Sequence, residues 1–173
     1  MYALRDLIGE EALNGALRAY LQEVQYQEPP YTTSLDLYAH LQAATPDSLR
    51  PMLADLFEHI TLYDNRVRTA TVTGDSASGF RVTLAIEARK LRADSLGNEA
   101  EVPMDDWVDI GVFAANPRNR QELGEELYLR KHRLEAGQDT VTVDVPRAPA
   151  RAGIDPYNNL IDRNRDDNTT AVD

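Results

Sequence analysis

The chain has 173 residues, 42% hydrophobic and 27% charged, proportions ordinary for a globular protein and enough length for a real core in one domain or two small ones. A net charge of −11, with Lys and Arg scattered along the chain, argues against nucleic acid as a partner, because nothing would neutralise phosphates. The absence of cysteine excludes disulfides and thiolate chemistry, and there is neither a signal peptide nor an apolar run near the length of a membrane span.

Composition splits the chain near Asn65: helical spacing before it, alternation of period two after it. The stretch Ala3–Leu21 opens in mid-pattern, with Leu4, Leu7 and Ile8 on one helical face. Gly9 reads as a stop and Glu10–Glu11 as a restart, since acidic side chains suit the positive end of a helix dipole. The restarted helix, carrying Leu13, Ala16, Leu17, Tyr20 and Leu21, is expected to run to about Gln25, where Pro29 and Pro30 break it. An uncapped apolar start is unusual for a domain, so the chain is expected to be a piece of something longer.

A third helix begins near Ser34, capped by Thr33 or Ser34, with Leu35, Leu37, Tyr38 and Leu41 on its apolar face. Thr45-Pro46-Asp47 repeats the capping logic. Pro51 divides the next segment into a short turn and a helix carrying Met52, Leu53, Leu56, Phe57 and Ile60. Short connections make antiparallel packing of these helices the expected arrangement.

Strands are expected over Val67–Thr73 and Phe80–Lys90 around a Gly74–Gly79 turn. A turn at Asp94–Asn98 leads to a short strand ending at Pro103, then to a strand over Asp106–Ala115. NPRNRQELGEE reads as a loop, Leu127–Leu134 as strand, EAGQD as a turn and Thr140–Val145 as the last of about six strands. That spacing favours an antiparallel sandwich. The Pro-, Asp- and Asn-rich tail is expected to be irregular. The expected domains are a helical part over 1–64, a β-sandwich over 65–147 and an acidic tail over 148–173.

Candidate chemistry is sparse. His40, His59 and His132 stand in no metal-ligand spacing and read as ordinary face residues. No serine lies in G-x-S-x-G and no phosphate-binding glycine loop is present. Asp162, Asn164 and Asp166 alternate as in the first half of an EF-hand loop. Asp167, however, stands where that loop requires glycine, so turn capping is the better explanation. Arg81, Arg89 and Arg92 could meet an acidic partner, although an exposed strand face commonly looks this way. Trp107 reads as core. These residues supply no catalytic, cofactor-binding or metal-ligating set.

LRDLIGEEALNGALRAYL, SLDLYAHLQAATP and DLFEHITLYDNRV, in that order, resemble the late catalytic-domain helices of the M1 (gluzincin, aminopeptidase N-like) zinc metallopeptidases. DWVDIGVF and AGIDPYNNLIDRNRDDN are similar to the peptidase modules of this family attached to bacterial ABC-2-type transporter permeases. The resemblance implies an α+β fold: an N-terminal antiparallel helical segment, closing a catalytic domain, followed by an antiparallel Ig-like β-sandwich. It implies zinc for the parent protein but none for this chain, which lacks HExxH, the downstream glutamate ligand and GxMEN. Tyr2 falls too late to be the family's transition-state tyrosine.

The implied partner is an upstream catalytic domain, against which the face of Leu4, Leu7 and Ile8 would lie. A transporter or membrane domain is a second implied partner, with no direct membrane insertion by this chain. The implied setting of the parent is the bacterial membrane. The implied function is structural: buttressing the catalytic domain and shaping substrate access. The other reading is a β-sandwich module that binds a protein or peptide. A large exposed apolar face on the helices would favour the first reading, and a covered helical surface with a separate groove on the strands the second.

Overall fold

The computed structural model describes residues 1–119 and 121–173. Among these residues the fold is mixed α+β, with four α-helices and three antiparallel sheets. The chain divides into two compact units, Met1–Thr61 and Leu62–Asp173.

In the first unit α1 spans Tyr2–Ile8, α2 Glu10–Val24, α3 Ser34–Ala44 and α4 Arg50–Phe57. Gly9, at φ 87°, does what its position suggests: its N–H closes α1 on the Arg5 carbonyl, and its carbonyl accepts from Leu13 N in the first turn of α2. Thr33 N–H donates to the Asp36 carboxylate at 2.7 Å, one arm of a capping box. That bond, with the Thr33 and Thr32 hydroxyls, holds the Asp36 carboxyl below the usual range. The Thr45 hydroxyl, expected to open the next helix, instead donates back to the Leu41 carbonyl at 2.7 Å and closes α3. A 3-10 turn, Asp47–Leu49, precedes α4, so Pro51 does sit near a turn-to-helix junction.

Ile60 is not on a helix; α4 ends at Phe57, and the run Ile60–Tyr63, rich in β-branched and aromatic side chains, forms strand β1. Leu4 is not left for an outside partner. It is 1% exposed and belongs to the unit's own core with Leu13, Ala16, Leu41 and Leu53, and Ile8 packs against that core.

In the second unit β2 spans Arg66–Asp75, β3 Gly79–Ala88, β4 Lys90–Ala93, β5 Glu99–Val102, β6 Asp105–Ala115, β7 Leu123–Glu135, β8 Gly137–Val145, β9 Arg151–Ile154 and β10 Thr169–Ala171. The sheets run in the orders β1-β4-β5, β10-β9-β6-β7 and β2-β3-β8. Val67, Val82, Leu84, Ile86, Val141 and Val143 of the last sheet share one core with Val108, Ile110, Val112, Leu134, Ala152 and Ile154. In β8 the alternation is regular: Val141, Val143 and Val145 inward, Thr140, Thr142 and Asp144 outward. The β2–β3 hairpin closes where Asp75 accepts from Ala77 N, Ser78 N and Ser78 Oγ at 2.8–2.9 Å. Gly74 must be glycine: its φ is +99°, and a Cβ there would lie 2.2 Å from the Gly79 carbonyl oxygen.

The strand expected over Phe80–Lys90 is two strands in different sheets. Arg89 breaks it by pairing both ways with Asp64, its N–H to the Asp64 carbonyl at 3.2 Å and its carbonyl from Asp64 N at 3.0 Å. The loop expected over NPRNRQELGEE is shorter, since β7 begins at Leu123; its Arg120 lies outside the described residues. Irregular register between Val112 and Ala115 lets that polar end pair with β6 despite its composition.

The largest correction concerns residues 148–173. They are irregular over much of their length but not throughout: β9 pairs Ile110↔Ile154 through Phe113↔Arg151 on β6, and β10 pairs Thr169↔Gly153 on β9. The Asp and Asn residues that suggested an open tail serve as turn caps. The buried Asp155 carboxylate accepts from Asn159 N at 3.0 Å and Leu160 N at 2.9 Å.

Burial pushes the Asp155 carboxyl up to about 6, with Asp109 and Asp162 adding to the shift against the two N–H bonds. A folded-state value above the unfolded one means that the native state holds the proton more tightly. The fold therefore gains from protonation below pH 6 and loses that gain as pH rises through the interval from about 4 to about 6. Asp155→Asn removes this dependence. The stability of the natural chain relative to the variant is expected to improve by on the order of 2 kcal/mol between pH 7 and pH 4.5, read from paired urea midpoints.

Candidate functional site

The helical unit carries an open apolar cleft. Ser34, Leu35, Leu37, Tyr38 and Leu41 of α3 face Phe57 and Glu58, at the end of α4, across a cleft of about 490 Å³. The spacing of Leu37, Tyr38 and Leu41 puts them on one side of α3, toward α4. The Tyr38 and Phe57 rings lie 6.3 Å apart at 55°. Leu35, one turn earlier, is 75% exposed, and Phe57 remains 38% exposed. Burial, then the hydrogen bond and charge of Glu58, push the Tyr38 hydroxyl up to about 12, so it stays a neutral donor to that carboxylate.

The electrostatics of this unit are one-sided. Residues 1–61 hold three arginines (Arg5, Arg18, Arg50) against nine carboxylates, a net of −6. Arg50, beside the cleft, is already paired with Asp47 at 2.9 Å.

In the β unit the polar groups mostly satisfy one another. A depression of about 470 Å³ at the β2–β3 turn is lined by Arg81 and Asp144, which form a two-pronged ion pair at 2.8 and 3.0 Å. Arg89 pairs with Glu87 at 2.7 Å, and Arg68 reaches the same carboxylate. Arg81 and Arg89 are thus engaged within the chain rather than held ready for an acidic partner. A buried ion pair in this unit is one that periodicity could not flag. Lys90 Nζ contacts the Asp106 carboxylate at 3.0 and 2.9 Å, and the Tyr63 hydroxyl donates to it at 3.0 Å.

The histidines take ordinary roles. His40 contacts Glu23 at 3.0 Å and stands edge-on to Tyr20. His59 is exposed, and His132 bonds the Tyr128 hydroxyl at 2.8 Å. Burial holds the His132 imidazole below its usual range. Trp107, expected in the core, is 39% exposed: Val108, Ile110 and Val112 take the inward positions of β6, leaving the opposite parity to Trp107. Asp162 caps turns, accepting from Asn65 N at 3.0 Å and Asn164 N at 2.9 Å. Among the described residues no three His, Cys, Asp or Glu side chains form a group able to hold a metal ion. No helix among the described residues is long and apolar enough to cross a membrane.

No known family model and no curated protein matches the chain.

Proposed function

We propose that the chain is a non-catalytic structural part of an M1-like zinc aminopeptidase, whose helical unit seats against the catalytic domain and shapes access to it. The β unit would be the Ig-like sandwich that follows. In the transporter-linked type, a membrane domain is a further partner. The carrying observation is the apolar surface of the helical unit: Leu35 stands 75% exposed at a cleft walled by Leu37, Leu41 and Phe57, and Leu21 of α2 is also more than half exposed. An isolated exposed leucine needs no explanation, but Leu35 and the partly exposed Phe57 open onto one apolar cleft, the kind of surface that another element covers. The shared core of the two larger sheets supports the sandwich assignment. A groove on the strands, which would favour a peptide-binding sandwich, has its main charges already paired at Arg81–Asp144.

The test is co-expression with an HExxH-bearing M1 catalytic domain from the same organism. A complex that survives size exclusion, and that Leu35→Glu weakens at least about tenfold in Kd, is expected. Zinc-dependent aminopeptidase turnover by the chain alone would overturn the reading.

A further inference from the structure

We propose that the α3–α4 cleft receives an apolar side chain from an amphipathic partner helix whose flanking residues are Lys or Arg. The proposal rests on the docking role given above only in using the same surface; it assigns the chemistry of the occupant.

The walls decide the anchor. Leu35, Leu37, Leu41 and Phe57 offer nothing polar to a ligand, while the cleft has room for a large side chain. An apolar residue moving there from water gains roughly 25 cal/mol for each Å² it buries. A helix is the element that presents such anchors at i and i+4 along a groove between helices.

The rim decides the charge. Glu58 stands at the mouth, held by the Tyr38 hydroxyl, and a wholly apolar occupant would strip water from that carboxylate without replacing it. A Lys or Arg one turn from the anchor replaces that water with a charge-assisted bond. Arg50 does not already fill this role, because its guanidinium is tied to Asp47. Beyond the rim, the net −6 of residues 1–61 attracts a basic helix and repels an acidic one.

Fluorescence anisotropy with two labelled model helices tests this on the full chain: an amphipathic Leu/Lys peptide and the same sequence with Glu in place of Lys. The Leu/Lys helix is expected to bind at least about tenfold more tightly than the Leu/Glu helix. Leu35→Glu separates seating from bulk attraction, because it makes the chain still more acidic. If the anchor enters the cleft, that variant binds the Leu/Lys helix about tenfold more weakly. If only net charge acts, it binds as well or better. Leu35→Gln is the companion variant, expected to weaken binding by severalfold, and Glu58→Gln should flatten the salt dependence.

Equal binding of the two peptides, or undiminished binding by both Leu35 variants, overturns the proposal. Either result would leave the docking role standing if the catalytic domain still associates. Conversely, failure of that association with the Leu/Lys preference intact would remove the docking role alone.

Discussion

A chain ending at Pro146 is expected to lose the folded β unit altogether. Ala152 and Ile154 are fully buried and Leu160 nearly so, and all three belong to the core shared by the larger sheets. Losing large aliphatic side chains from a packed core costs about 2–5 kcal/mol each. Deleting residues 147–173 also strips β6 of its pairing over Ile110–Phe113. It removes the bonds from Val72 N to the Asp173 carbonyl and from Asp173 N to the Ala70 carbonyl as well. Together these approach the whole stability of a typical domain, about 5–15 kcal/mol. Near-UV circular dichroism and thermal melting of residues 1–146 are the measurement. No cooperative β-unit transition is expected; a cooperative melt within a few degrees of the full chain would refute the integral role of β9.

The second large effect is at Lys90. Lys90 is 5% exposed, its partner Asp106 2% and Tyr63 3%, so water cannot take over if one member goes. Lys90→Met leaves a buried carboxylate with its cation gone, at a cost of about 3–5 kcal/mol. Replacing all three, as Tyr63→Phe, Lys90→Met and Asp106→Leu, is expected to recover much of that loss, because the buried carboxylate then goes together with its cation. Urea unfolding of the single and triple variants decides the matter. A Lys90→Met cost below about 1 kcal/mol would mean that the pair is solvated or replaced by other contacts.

Both predictions lie where the sequence is hardest to read. The break at Gly9, the Asp94–Asn98 turn and the strands around Val82, Ile110 and Val141 are written in local periodicity and turn chemistry, and each forms about where that chemistry puts it. The short strands β1, β4, β9 and β10 are not. Each has three or four residues, too few for alternation to show, and each is fixed by neighbours distant in sequence. The Asp- and Asn-rich composition of 148–173 hides β9 and β10 because such residues also cap the turns of a well-packed segment, as Asp155 does for Asn159 and Leu160.

The site shows the same division. The apolar face of α3 at Leu37, Tyr38 and Leu41 is visible as i, i+1, i+4 spacing, but its pairing with Phe57 and Glu58 depends on how α4 returns after Pro46. Trp107 misleads because an aromatic residue in a β-rich run suggests core, whereas strand parity gives the inward places to its neighbours. Lys90 and Asp106, 16 residues apart, could be joined only by the pairing of β4 with β5 and the turn into β6.

The role proposed for this chain is support of a catalytic domain. Its most direct test is the thermal stability and aminopeptidase activity of the separate HExxH-bearing domain, measured with and without the chain added in trans. Support predicts a melting temperature raised in proportion to the binding of the added chain, with activity retained at temperatures where the lone domain fails, and both effects lost with Leu35→Glu. An unchanged melting curve and activity at saturating chain would contradict it.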